Sequence, residues 1–240
     1  MVEYRLLEWF PRVVPWKLLA PLTLPIGRQL KTKWHFWYES ARMIETAFGF
    51  AFNNGVRGDY LEFGVYQGRT FIDAWEAARR YQMPEMRFHA FDSFAGLPEP
   101  EHHDAGGGFW GGQFHCARAK FEAALRRRKV DLSRVSIHEG MFDETLSEPD
   151  SLRKLGVEQA SVVWIDCDLY ASTVPVLRAL TDIVVDGTVL IFDDWYCFNG
   201  RPDRGEQRAC SEWLDVHPRI RLVEYQKFHW AGASFIVNLD

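Results

Sequence analysis

Two apolar runs in this chain each end in carboxylates: Ser161-Val-Val-Trp-Ile-Asp166-Cys-Asp168-Leu-Tyr170, and Gly187-Thr-Val-Leu-Ile-Phe-Asp193-Asp194-Trp195. Each reads as a buried strand that delivers acidic side chains at its C-terminal end. In open α/β sheets the strand C-termini are where ligands bind. Four carboxylates placed there imply a divalent cation, an acid/base group that holds a proton, or both, because crowded like charges need a partner.

The rest of the chain supplies the sheet. Apolar residues recur at helical spacing over residues 34–52, and Asn53-Asn54-Gly55 gives a C-cap signal. Strands are then expected at 60–64, 87–92, 135–138, 160–166 and 188–193. Helices are expected at 68–81, 117–129, from 144 or 145 to 155 (broken by Pro149), 173–183 and 204–215. Ser172 or Thr173 would cap the fourth of these, with Pro175 tolerated in its first turn. Strands alternating with helices argue for βαβ units and a mainly parallel sheet. Segments 221–225 and 234–239 have no helix between them and read as an antiparallel hairpin at one edge. The expected fold is therefore Rossmann-like α/β, a seven-stranded sheet over residues 58–240, with residues 1–57 as an N-terminal helical arm or cap.

Composition excludes several classes. The chain has 240 residues, 47% of them hydrophobic and 25% charged, as in a soluble globular protein with ample core material. A net charge of −5 gives no basic face for nucleic acid. The four cysteines form no CxxC pair, which argues against zinc and fits a reducing cytoplasm. Pro11, Pro15, Pro21 and Pro25 interrupt the apolar residues near the N-terminus, so neither a transmembrane helix nor a signal peptide is expected. An arm packing on the domain or on a second subunit is the preferred reading, with a homodimer as its consequence. Interfacial membrane contact through Trp9, Phe10 and Trp16 is the lesser alternative.

Three further places can carry chemistry. In Asp59-Tyr-Leu-Glu62-Phe-Gly64-Val-Tyr66-Gln-Gly68-Arg-Thr70 a strand enters a glycine turn and then a helix. The glycines allow close backbone approach to a ligand, but their spacing is not the dinucleotide fingerprint. Glu62 would repel a pyrophosphate and suit a cationic group such as that of S-adenosylmethionine. Asp92 ends the second strand, where an acidic residue meets ribose hydroxyls, unless it merely caps a helix. Asp166 and Asp168, two apart, point to one side of an extended chain. If the fourth and fifth strands are neighbours, Asp166 meets Asp193 and Asp194, an oxygen set suited to Mg²⁺, and Asp168 is the candidate base. Asp166-x-Asp168 also matches the D-x-D motif of metal-dependent glycosyltransferases. His102, His103 and His115 flank a glycine-rich loop and His229 precedes the last strand, but no spacing singles one out.

These residues resemble the macrocin O-methyltransferase family, metal-dependent S-adenosylmethionine enzymes that methylate hydroxyls on sugars of natural products. The matching pieces are Tyr60-Leu-Glu-Phe-Gly-Val-Tyr-Gln-Gly, Phe91-Asp-Ser-Phe-Ala-Gly-Leu-Pro-Glu-Pro100, Gly112-Gln-Phe, Gly140-Met-Phe-Asp-Glu-Thr-Leu, Asp166-Cys-Asp-Leu-Tyr-Ala-Ser-Thr173 and Phe192-Asp-Asp-Trp195. The resemblance implies a class I methyltransferase fold, Mg²⁺ on Asp166, Asp193 and Asp194, and Asp168 as general base. It implies S-adenosylmethionine held by Glu62, Gly64, Asp92 and Ser93, with Tyr66, Gly68 and Thr70 of the same turn, Gly140, Met141 and Phe142 near the adenine, and Asp166 beside it. Residues 99–114 would form a lid over a sugar-containing hydroxyl acceptor. The run Gly106-Gly-Gly-Phe-Trp-Gly-Gly112 departs from the family pattern and bears on the acceptor more than on the reaction.

Overall fold

The computed structural model describes residues 25–148 and 150–240. The start of the expected arm, with Trp9, Phe10 and Trp16, lies outside the described residues, as does Pro149. The chain divides into two compact units at Tyr38/Glu39. Helix α1 (Pro25–Asn54) begins in the first, where Trp34 and Tyr38 stack at 5.2 Å. In the second, Met43, Ile44, Ala47, Phe48 and Ala51 of α1 form one buried face. The helix ends on Gly55, which takes φ 68, and Val56 donates to the Ala51 carbonyl.

Seven strands form one sheet: β1 (Asp59–Phe63), β2 (Phe88–Asp92), β3 (Val135–Glu139), β4 (Ala160–Ile165), β5 (Val184–Phe192), β6 (Ile220–Phe228) and β7 (Gly232–Leu239). Their order is β3-β2-β1-β4-β5-β7-β6, with β1 to β5 parallel and β7 antiparallel to both neighbours. This is the expected Rossmann-like sheet with its closing hairpin. Order reverses between β1 and β4, the switch point at which such sheets open a crevice. The longer helices are α2 (Arg69–Arg80), α3 (Arg118–Arg127), α6 (Tyr170–Leu180) and α7 (Gly205–Val216). The helix expected up to residue 155 is two single turns, α4 (Phe142–Thr145) and α5 (Ser151–Lys154).

Side chains alternate between two cores. Tyr60, Val162, Trp164, Val189 and Ile191 join α1, α2 and α3 residues such as Phe48, Phe71, Trp75 and Phe121. Leu61, Phe63, Val163, Ile165, Leu190 and Phe192 join Val176, Leu177 and Leu180 of α6 and Ala209, Cys210 and Trp213 of α7. Helices therefore cover both faces, as parallel strands require. Among the described residues no helix is long and apolar enough to cross a membrane.

Register carries this order to the C-terminal edge. Phe63 pairs with Ile165 and Ile165 with Phe192. One rung on, Asp166 N–H donates to Phe63 and Asp193 N–H to Ile165, each at 2.9 Å, while Gly64 N–H donates to Phe91 at 2.8 Å. Gly64 holds φ 90, and a β-carbon there would collide with the Asp166 carbonyl oxygen. Gly64→Ala should thus cost about 2–4 kcal/mol, from the backbone conformation and the clash together. Urea unfolding of the variant would measure it.

Candidate active site

Beyond that rung the two neighbouring aspartates part. Asp194 turns toward β4, where carboxylate oxygens of Asp166, Asp168 and Asp194 all lie within 4.8 Å of one another. Asp193 turns toward the β6–β7 turn and accepts His229 Nε2 at 3.2 Å. His229 Nδ1 accepts the N–H groups of Ala231 and Gly232 at 3.0 and 3.2 Å, so its proton sits on Nε2. His229 is thereby a donor to Asp193. The structure thus gathers two of the residues expected to bind metal, Asp166 and Asp194, with the expected base, Asp168. It places Asp193 beside them with a partner of its own.

Asp194 is held on two sides. Its Oδ1 accepts the Cys197 thiol at 3.1 Å, and its N–H donates to Glu206 Oε2 at 3.1 Å. Its Oδ2 is buried without a hydrogen-bond partner, as is Glu206 Oε1. Burial and mutual repulsion push the Asp166 and Asp168 carboxyls well above the usual range, and Asp194 to about 7. Three clustered carboxylates, one of which has a buried oxygen that no donor holds, are a donor set that fits a hard divalent cation. Asp168 itself takes φ 59, a left-handed conformation unusual for a non-glycine residue, and is 5% exposed.

The glycine turn lies on the other side of the switch point. Glu62 is fully buried, accepting the Thr70 hydroxyl at 2.6 Å and the Tyr60 hydroxyl on its other oxygen. Burial raises its pKa to about 8 despite both bonds. Asp92 Oδ2 accepts the N–H groups of Val65 and Tyr66 at 2.8 and 3.0 Å, and Oδ1 that of Phe94 at 2.7 Å. Asp92 thus organises the turn that Gly64 and Gly68 bend, rather than capping a helix. Ser93 Oγ donates to the Gly96 carbonyl. Gly140 continues the β3 edge by donating to Asp92, Met141 starts α4, and Phe142 meets Phe63 edge-on at 5.9 Å.

Residues 95–116 form the expected irregular loop. A 3-10 turn, His102–Asp104, buries the Asp104 carboxylate, which accepts the N–H groups of Tyr170 and Ala171 at 2.6 and 3.2 Å. This loop residue therefore caps α6, which begins at Tyr170 rather than at 173. Thr173 instead donates to the Leu169 carbonyl. Phe109 packs on Phe198, and exposed Phe114 meets exposed Tyr66 edge-on at 6.0 Å. Sequence reading missed Asp104, Glu206 and the Asp193–His229 pair. Only Glu206 left a local trace, as an acid on the helix face of Ala209, Cys210 and Trp213.

Comparison with known proteins decides the class. The family model described as Macrocin-O-methyltransferase (TylF) matches residues 40–207. The chain belongs to that family. It is an O-methyltransferase, and the match takes in the glycine turn, the loop and all four aspartates. The methyltransferase is 25% identical over 199 residues to mycinamicin III 3''-O-methyltransferase of Micromonospora griseorubida, covering 77% of this chain and 72% of that one. Its fold is shared with the calicheamicin methyltransferase CalS11, at 24% identity and TM-score 0.69, covering 97% of this chain and 89% of that one. It is also shared with the O-methyltransferase NovP, at 21% identity and TM-score 0.66, covering 82% and 79%.

Two outcomes follow from this geometry. Glu62 has a folded pKa of about 8 against 4.5, so the folded state keeps a proton that the unfolded chain has lost. Its contribution to stability is full below the unfolded value and is lost as pH rises through about 8. The melting temperature of Glu62→Gln should therefore fall less between pH 7 and 9 than that of the wild type. Asp104→Ala should cost about 1–2 kcal/mol as a lost cap. Limited proteolysis should then cut within residues 95–116 faster than in the wild type.

Proposed function

We propose that the methyltransferase carries the methyl group of S-adenosylmethionine to a hydroxyl of a sugar or sugar-bearing natural product, in a reaction that needs Mg²⁺. The observation that carries this reading is the oxygen cluster of Asp166, Asp168 and Asp194, set at the sheet edge beside the glycine turn of β1. Similarity to mycinamicin III 3''-O-methyltransferase and to CalS11, a TDP-rhamnose 3'-O-methyltransferase, supports a sugar acceptor. An O-methyltransferase from Bacillus cereus with the same fold is described in complex with S-adenosylhomocysteine, at 16% identity and TM-score 0.52, covering 81% of this chain and 80% of that one. Family membership sets the D-x-D glycosyltransferase alternative aside.

Each residue then has a task. Gly64 and Gly68 hold the left-handed backbone of the turn that would face the cofactor, with Tyr66 and Thr70 in the same turn. Buried Glu62, protonated in the free protein, would ionise beside the cofactor's ammonium and sulfonium, whose positive charge favours the carboxylate. Asp92 and Ser93 would face the ribose and Gly140, Met141 and Phe142 the adenine. Asp166 and Asp194 would hold the cation, with Asp193 as third ligand and Asp166 also beside the cofactor. Asp168 accepts the proton of the acceptor hydroxyl. A bound divalent cation lowers the pKa of such a hydroxyl, and the sulfonium methyl is already activated for attack. The chain's own work is chiefly to orient the two reactants, which is worth several orders of magnitude in rate. The loop over residues 99–114 is assigned as the substrate lid. The chain is assigned as a homodimer, for which sedimentation as a monomer would be decisive against.

Calorimetry should show S-adenosylhomocysteine binding; binding of UDP in its place would sink the reading. Asp168→Asn should keep Mn²⁺ affinity while kcat falls about 100-fold or more. Asp193→Asn should weaken Mn²⁺ binding about tenfold or more. The reverse pattern would make Asp168 the ligand and remove it as the base.

A further inference from the structure

Glu206 is a fifth carboxylate at this site and has no task in the reaction just described. It stands in the first turn of α7, on the face whose next members, Ala209, Cys210 and Trp213, enter the core. It is 1% exposed. One oxygen accepts the Asp194 N–H; the other, buried, has no partner. The charges it faces most strongly are those of Asp194, Asp193 and Asp168.

A structural role does not account for this placement. Glutamine would accept the same N–H without a charge. A carboxyl buried among carboxylates keeps its proton unless a cation compensates its charge, and burial with the charges of Asp194, Asp193 and Asp168 holds Glu206 well above the usual range. Its bonded oxygen holds the Asp194 N–H, which ties it to the backbone of a proposed ligand, outside the cluster of Asp166, Asp168 and Asp194. What remains is the arrangement usual around metal ligands, in which an outer carboxylate holds a ligand in place and adds charge to the ion's surroundings.

We propose that Glu206 is a positioning residue of the metal centre: it anchors Asp194 through its N–H and directs its free oxygen and its charge toward the cation. This rests on the metal-dependent reading above. The class of ligand it serves is a hard divalent cation, probed with Mn²⁺.

The test uses the full-length protein and its Glu206→Gln and Glu206→Asp variants. Mn²⁺ dissociation constants are read by electron paramagnetic resonance, melting temperatures are taken in EDTA and in Mn²⁺, and S-adenosylhomocysteine affinity is read by calorimetry in EDTA. For Glu206→Gln the Mn²⁺ dissociation constant should rise about 10- to 100-fold. Its melting temperature in EDTA should equal or exceed that of the wild type, because glutamine can still accept the Asp194 N–H and leaves no buried carboxyl among carboxylates, while its stabilisation by Mn²⁺ shrinks. S-adenosylhomocysteine affinity should be unchanged. Glu206→Asp, which keeps the charge, should bind Mn²⁺ more tightly than Glu206→Gln. Wild-type Mn²⁺ affinity in Glu206→Gln would overturn the proposal, as would equal weakening in both variants. So would a lower melting temperature or misfolding of Glu206→Gln in EDTA, which would make the residue structural. Failure of the wild type to bind Mn²⁺ would instead remove the metal reading, and this proposal with it.

Discussion

The parallel register of β1, β4 and β5 is the constraint on which the site depends. It sets Gly64, Asp166 and Asp193 on one rung past the last paired residues, Phe63, Ile165 and Phe192. Those three side chains are buried in the core under α6 and α7. A slip of one residue would turn them to the other face and carry the aspartates off the rung, so core packing enforces the register. The carboxylates are crowded against their mutual repulsion because several buried apolar side chains on each strand outweigh it. The close approach also needs Gly64, since a β-carbon would strike the Asp166 backbone.

Crowding of this kind is then divided by local partners. Asp193 and Asp194 are adjacent, yet one meets His229 from the β6–β7 turn and the other meets Cys197 and Glu206. Because β7 lies between β5 and β6, the turn that closes the hairpin returns to the C-terminal end of β5. The antiparallel hairpin thus completes the sheet and also supplies the donor that fixes Asp193. Asp194 carries a buried oxygen that no donor holds, and its carboxylate converges with those of Asp166 and Asp168.

The sheet was legible because the strands are apolar, short and spaced by helical segments, and because the acidic residues fall where such strands end. The Asp92 strand end and the Glu62 turn were legible for the same reason, as positions. Their partners were not: Asp92 bonds backbone 26 and 27 residues away, and Glu62 bonds two hydroxyls on its own side of the sheet. The start of α6 was misplaced because its cap comes from Asp104, 66 residues earlier, which no local pattern reports. The bond from His229 to Asp193 was hidden for a related reason. Adjacent residues diverge once the strand ends, and the residue that takes Asp193 is a histidine with no informative spacing.

Asp168 shows how these long-range partners act together. Its left-handed backbone would relax in an isolated peptide, so the surroundings must hold it. On one side Cys167 is buried at the end of β4. On the other, Leu169 donates back to the Cys167 carbonyl at 2.6 Å, and the next two N–H groups, of Tyr170 and Ala171, are fixed by Asp104. The strained residue therefore lies between a core strand and a helix start that the loop itself caps. Loop docking and the geometry at Asp168 are joined through two backbone bonds, so the loop that carries Asp104 also helps hold this strained carboxylate in place.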